Sequence, residues 1–129
     1  MQIRVYYEDT DCGGIVYHAN YIKYCERARS EFFFSQGIPP IQDNIGFVVK
    51  SMQIDFLSPS KLGDLLEIQT QILECKKASI LLLQEIFLAQ KKIFSAEVLL
   101  VALNAQTQKI TPLPLWAKEV FAKIPKGNS

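Results

Sequence analysis

The sequence predicts an α+β domain in which an antiparallel sheet of about five strands wraps one long central helix. Three observations lead there. Apolar residues recur at helical spacing in one long stretch, from His18 to about Gln36. After Gly46 the period changes to two, and four strand-like runs follow one another as hairpins. The helix is also too aromatic for one exposed face: Tyr17, Tyr21, Tyr24, Phe32, Phe33 and Phe34 fall on or beside it. One helix set apart from antiparallel strands is the α+β pattern.

In chain order, Ile3 to Val5, extended by Tyr6 and Tyr7, reads as a short first strand, followed by an acidic, glycine-rich loop. The helix carries Tyr21, Ile22, Cys25, Ala28 and Phe32 at its recurring positions and spans roughly 28 Å. Gly37 stops it, and Pro39-Pro40 forbids continuation. In the next strand Val48, Met52, Ile54 and Phe56 share one side, with Lys50 the exception. Ser51, Gln53 and Asp55 take the other. A turn at Ser58-Pro59-Ser60 and Gly63-Asp64 leads to Leu66, Ile68, Thr70 and Ile72 in the same alternation. A turn at Lys76-Lys77-Ala78 precedes two strands, Ile80 to Ala89 and Ile93 to Leu103, joined across Gln90-Lys91-Lys92. Both are apolar on both faces, which implies a partner surface, here another subunit. A short helix follows Pro114, with Trp116, Val120, Phe121 and Ile124 on one side. No linker or repeat divides residues 1–129, so one domain is expected, with a tail that frays after about residue 125.

Composition narrows the function. A hydrophobic share of 49% with 21% charged residues supports a packed core and argues against disorder. A net charge of +1 argues against nucleic acid or an anionic membrane as partner. The three cysteines, Cys12, Cys25 and Cys75, have no metal-ligand spacing and read as free thiols in a reducing compartment. The N-terminal stretch has no signal-peptide pattern, and no apolar run approaches the length of about 20 residues that spans a bilayer. A cytoplasmic location is expected.

The chemistry concentrates between Tyr6 and Glu31. Glu8, Asp9 and Asp11 precede Gly13-Gly14, and the only histidine, His18, stands where the helix begins. Glycines let a ligand approach the backbone, and a helix start offers unpaired N–H groups that stabilise a developing oxyanion. A carboxylate such as Asp11 beside them can act as general base or as nucleophile. A thioester suits such a site, because a thiolate with a pKa near 8.5 leaves without strong acid assistance. On the residues alone, a plain cap and turn is the better reading of this cluster. A calcium loop fails on spacing: with Asp9 and Asp11 at positions 1 and 3, position 12 is Asn20 instead of glutamate. A single histidine with no paired cysteines makes zinc a poor fit. No metal and no cofactor are expected.

The run YYEDTDCGGIVYHANYIKYCERARSEFF closely resembles the signature of the 4-hydroxybenzoyl-CoA thioesterase family of hotdog-fold proteins. Within it, the chain is most similar to the tol-pal-associated (YbgC-type) acyl-CoA thioesterases. The pattern is Asp9-x-Asp11-x-x-Gly14-x-Val16-Tyr17-His18-x-Asn20-Tyr21 followed by Glu26-Arg27-Ala28-Arg29, and it extends to Gly63-Asp64-x-Leu66 and Lys76-Lys77-Ala78-Ser79. The resemblance implies a hotdog fold, a homodimer or homotetramer with sites at the subunit interface, and hydrolysis of acyl-CoA. Acyl carrier protein is the alternative donor. It implies Asp11 as the catalytic aspartate and the His18 backbone N–H as the oxyanion donor, with the His18 ring adding a hydrogen bond or proton relay. Tyr7 becomes a pocket residue beside Asp11, and Lys76, Lys77 and Ser79 match a turn that meets CoA phosphates in relatives. Two other classes stay open: a hotdog dehydratase acting on hydroxyacyl thioesters, and a non-catalytic protein that binds acyl groups or acyl carriers.

Overall fold

The computed structural model describes residues 1–127. Its elements run β1 (Gln2–Arg4), a 3-10 turn (Tyr7–Asp9), α1 (His18–Phe34), β2 (Ile45–Phe56), β3 (Leu65–Cys75), β4 (Ser79–Leu88), β5 (Lys91–Asn104), β6 (Lys109–Ile110) and α2 (Leu115–Phe121). All strand pairs are antiparallel, in the order β1-β3-β4-β5-β2, with the two-residue β6 pairing to β5. The sheet wraps α1, as expected. Tyr21, Tyr24, Cys25, Ala28 and Phe33 of the helix are buried against Leu66, Ile68, Leu82, Ile86, Phe94, Ala96 and Val98 of the sheet. Among the described residues no helix is long and apolar enough to cross a membrane.

The strand expected through Tyr7 ends at Arg4, because Asp9 and Thr10 donate their N–H groups back to the Tyr6 and Tyr7 carbonyls and tighten the chain into the 3-10 turn. The helix stops at Phe34, two residues early. Ser35 caps it, and Gly37 takes the left-handed conformation at φ 70° that a Cβ disfavours.

Lys50, the exception in the alternation of β2, marks a bulge. The pairing with β5 runs Phe47–Ala102 and Val49–Leu100, then resumes at Ser51–Leu99 and Met52–Val98. One extra residue reverses which side chains face inward. The inner face of β2 is therefore Phe47 and Val49 before the bulge and Met52, Ile54 and Phe56 after it. Val48, expected on that face, points outward with Val101.

The far end of α1 closes through aromatic packing. Phe33, Phe47, Trp116 and Phe121 meet at centroid distances of 5.4 to 6.1 Å, so α2 covers the sheet beside β2. Arg27 lies over the Tyr24 ring at 5.9 Å and forms no ion pair with Glu31. The tail is held beyond residue 125: Ile72 donates to the Pro125 carbonyl, and Gly127 donates to Ile72, both at 2.8 Å. The rest of the tail expected to fray, residues 128–129, lies outside the described residues.

Candidate active site

The acidic loop folds as a tight hairpin. Its base is closed by the Asp9 carbonyl, which accepts from Tyr17 N–H at 3.0 Å and from the Asn20 side-chain amide at 2.8 Å. Thr10 pairs with Val16, and Asp11 donates its N–H to the Ile15 carbonyl at 2.9 Å. Gly14 turns the tip at φ 80° and donates to the Asp11 carbonyl at 3.0 Å. Asp11 stands at that tip, exposed, with Oδ1 accepting from Gly13 N–H at 2.8 Å. A Cβ at Gly13 would come to 3.3 Å from that oxygen, so glycine suits the close approach. Asp11 Oδ2 takes no hydrogen bond among the described residues.

A second clamp comes from the segment between β2 and β3. Val16 N–H donates to the Ser60 carbonyl at 2.8 Å, Leu62 N–H to the Gly14 carbonyl at 3.3 Å, and Ile15 bridges to Lys61. Ser60 is buried and tied to the first turn of α1. Its hydroxyl lies 2.7 Å from the Tyr21 hydroxyl, and its N–H donates to that oxygen at 3.1 Å. The phenol ring stacks on Phe94 at 5.4 Å, and Phe56 packs edge-on to Phe94 and to His18. Two loops and the helix start thus form one unit.

Asp9 serves this frame and not the exposed surface. It is buried, and its Oδ2 accepts from Tyr6 N–H at 3.0 Å. The fully buried Tyr24 hydroxyl has no partner of hydrogen-bonding geometry. Burial first, and then the Asp9 carboxylate, push that phenol well above the usual tyrosine range.

His18 is the first helical residue. The Tyr17 side chain provides no cap, and the His18 N–H has no acceptor among the described residues. A free donor at the positive end of a 17-residue helix is suited to a carbonyl oxygen that gains charge. The His18 ring packs on Tyr17 at 4.4 Å and against Phe56 at 6.0 Å, and makes no hydrogen bond among the described residues.

Asp11 thus stands at the tip of the hairpin whose chain runs on into the His18 N–H, and the remaining expected residues stand elsewhere. Tyr7 is 82% exposed: the 3-10 turn rotates its phenol into solvent, and only its carbonyl engages, accepting from Thr10. The turn with Lys76, Lys77 and Ser79 follows the end of β3, about 33 Å along the strand from the end that neighbours the hairpin. One chain does not bring these residues to Asp11. There Lys76 pairs with Glu74 at 3.3 Å, and Lys77 accepts from Leu113 through its carbonyl. The bulge turns Lys50 outward into a cavity of about 450 Å³ shared with Lys76 and Ser79. Sequence reasoning missed Ser60, Asn20 and Lys50. Ser60 lay inside a turn signature, and its partner Tyr21 is 39 residues away, which no local pattern reveals. No group of three or more potential metal ligands occurs among the described residues.

Comparison with known proteins decides the lineage. A family model described as the thioesterase-like superfamily matches residues 5–122. The chain belongs to the thioesterase-like superfamily. Among its members, an acyl-CoA thioesterase YbgC of Helicobacter pylori is 44% identical, over 96% of this chain and 100% of that one. An acyl-CoA thioester hydrolase YbgC of Escherichia coli is 41% identical, over 87% of each. The solved structure of a probable thioesterase from Bartonella henselae superposes with a TM-score of 0.82 at 34% identity, over 88% of this chain and 97% of that one. The wrapped helix is the hotdog fold of this superfamily.

Proposed function

We propose that this protein hydrolyses acyl-CoA to a free acid and CoA. The observation that carries the reading is the pairing of an unengaged N–H at the start of α1 with a carboxylate at the tip of the hairpin that leads into it. The names and high coverage of the YbgC relatives support the acyl-CoA substrate. The thioester carbonyl accepts from His18 N–H. Asp11, oriented through Oδ1, uses its free Oδ2 to take a proton from water or to attack the carbonyl carbon. The tetrahedral oxyanion is held by the helix start, and the C–S bond breaks to release CoA thiolate; where water attacks, the free acid forms directly, and where Asp11 attacks, water then cleaves the mixed anhydride to the free acid and the Asp11 carboxylate. Neither Tyr7 nor the His18 ring is required for these steps.

The site is completed by a second copy. β2 is an edge strand of 12 residues whose outer edge pairs with no other strand among the described residues, with Val48 and Val49 each 41% exposed. An edge of this length is a template for another strand. Two-fold antiparallel pairing sets the Phe56 end of one β2 beside the Ile45 end of the other. The Lys76-Lys77-Ser79 turn and Lys50 of the second copy then approach the hairpin of the first. This gives the CoA phosphates two to three cations that one chain cannot supply.

The test is thiol release from acyl-CoA by the wild type and by Asp11→Asn. Asparagine keeps the Gly13 hydrogen bond but is neither base nor nucleophile, so kcat falls by about 100-fold or more. Turnover within a few-fold of wild type rules out the role of Asp11. Label found in Asp11 after single turnover in ¹⁸O water identifies attack by the carboxylate followed by cleavage of the anhydride at Asp11.

A further inference from the structure

The helix face that begins at His18 carries a half-buried cation, Arg29, about three turns on. With 3.6 residues per turn, Ile22, Cys25, Arg29 and Phe33 fall within about 60° of His18. Beside Arg29 and Phe33, at the far end of this face, lies a cavity of about 180 Å³ lined also by Glu26 of α1, Phe47 of β2, Leu100 of β5 and Phe121 of α2. Helical side chains lean toward the N-terminus, so the Arg29 guanidinium lies over the turn near Glu26, roughly 12 Å along the axis from His18.

Arg29 is anchored by a neutral group. Its Nη1 donates to Gln84 Oε1 at 3.0 Å. Gln84 is fully buried, and its amide donates to the Cys25 carbonyl at 2.9 Å and to Thr70 Oγ1 at 3.1 Å. Gln84 therefore has no freedom to turn away. Arg29 makes no other hydrogen bond and no ion pair among the described residues, which leaves four of its five N–H donors without a protein acceptor. Glu26 lines the same cavity and forms no ion pair among the described residues. Burial disfavours the charge of Arg29, and the nearby Glu26 carboxylate offsets part of this. A fixed, half-buried guanidinium in an aromatic cavity is matched by a planar anion that accepts two parallel hydrogen bonds.

We infer that this cavity receives a carboxylate at the far end of the acyl group, and that the preferred substrates are CoA monothioesters of dicarboxylic acids. The inference rests on the thioesterase reading above, and it names the substrate class. A saturated chain of the same length would instead bring its methyl end against a half-buried guanidinium.

The test compares adipoyl-, suberoyl- and sebacoyl-CoA with hexanoyl-, octanoyl- and decanoyl-CoA by thiol release. At the matching length, kcat/KM favours the dicarboxylic thioester by about tenfold or more, the discrimination of one charge-assisted pair. Arg29→Met lowers that ratio at least tenfold, and Arg29→Lys restores part of it. Free suberate raises the melting temperature of the wild type and leaves that of Arg29→Met unmoved. This readout also serves if the variant is too unstable to assay, because the wild-type shift is measured alone. Equal or better hydrolysis of the saturated thioesters at every length overturns the inference and leaves the thioesterase reading standing. If no thioester is hydrolysed, that reading fails, and absence of a suberate shift then overturns the cavity assignment as well.

Discussion

Replacing Tyr21 by phenylalanine isolates the contact that ties the helix start to the loop after β2. Tyr21 is 4% exposed and Ser60 is 2% exposed, so water does not substitute for what is lost. The change removes one oxygen and deprives two groups of Ser60, the hydroxyl at 2.7 Å and the N–H at 3.1 Å. A buried polar group left unsatisfied costs about 1–3 kcal/mol, so the two together predict a loss of about 2–6 kcal/mol. Ser60→Ala is milder, about 1 kcal/mol, because the Tyr21 hydroxyl keeps the N–H as a donor. The activity change follows from the Ser60 carbonyl, which holds Val16 two residues before His18. A displacement of about 1 Å at a positioned donor lowers turnover by roughly 100-fold. Tyr21→Phe therefore lowers kcat by one to two orders of magnitude, with KM for acyl-CoA little changed. Urea unfolding followed by circular dichroism gives the stability term, and thiol release gives kcat and KM. The double variant should fall short of the sum of the single losses, since both remove the same pair. Stability within about 0.5 kcal/mol of wild type, the usual range for an inert surface change, together with unchanged kcat refutes the clamp.

Three further outcomes follow from other parts of the molecule. Lys50→Ala with Lys76→Ala raises KM for acyl-CoA several-fold and leaves hydrolysis of the phosphate-free N-acetylcysteamine thioester unchanged; equal effects on both substrates argue against a phosphate role. Ala89 and Gln90 hold positive φ values of 48° and 70° in the β4–β5 turn, so Ala89→Asn with Gln90→Gly stabilises by about 1 kcal/mol, read as a rise of about 4 °C in melting temperature. Burial pushes the Cys25 thiol from 9.0 up to about 12. Above about pH 9 the unfolded chain loses this proton while the folded chain keeps it, so stability is full below that value and falls as pH rises toward 12. Cys25→Ala flattens this part of a urea-midpoint profile; an unaltered slope assigns the alkaline loss to other groups.

Much of the fold was legible because it rests on local regularities. The period of 3.6 in α1 and of 2 in the strands placed every long element within a few residues. The aromatic bulk of α1 required a sheet around it, and the lone lysine in the β2 alternation was the trace of the bulge. Boundaries were less legible. The 3-10 turn at Tyr7–Asp9 replaces a strand because carbonyls three residues back capture the chain, an outcome that the aromatic pair Tyr6-Tyr7 does not signal.

The candidate site divides in the same way. Asp11, Gly13, Gly14 and His18 fall within eight consecutive residues, so local chemistry marked the loop, and the family resemblance singled out Asp11 from Glu8 and Asp9. The roles of Asp9, Ser60 and Gln84 depend on partners brought near by the fold: Asp9 on the helix start, Ser60 on Tyr21, Gln84 on Arg29. Tyr7 and the Lys76 turn were assigned by motif, and the backbone carries one into solvent and the other to the opposite end of β3.

The sequence by itself determined the class of fold, the family signature and the reactive loop, because these are written in local spacing and in the chemistry of neighbouring residues. Only the tertiary structure decided which carboxylate is buried as a strut and which is left at the hairpin tip, and where the unpaired donors of His18 and Arg29 lie. Burial and hydrogen-bond satisfaction are properties of surfaces that meet across the chain, and the order of residues does not encode them locally.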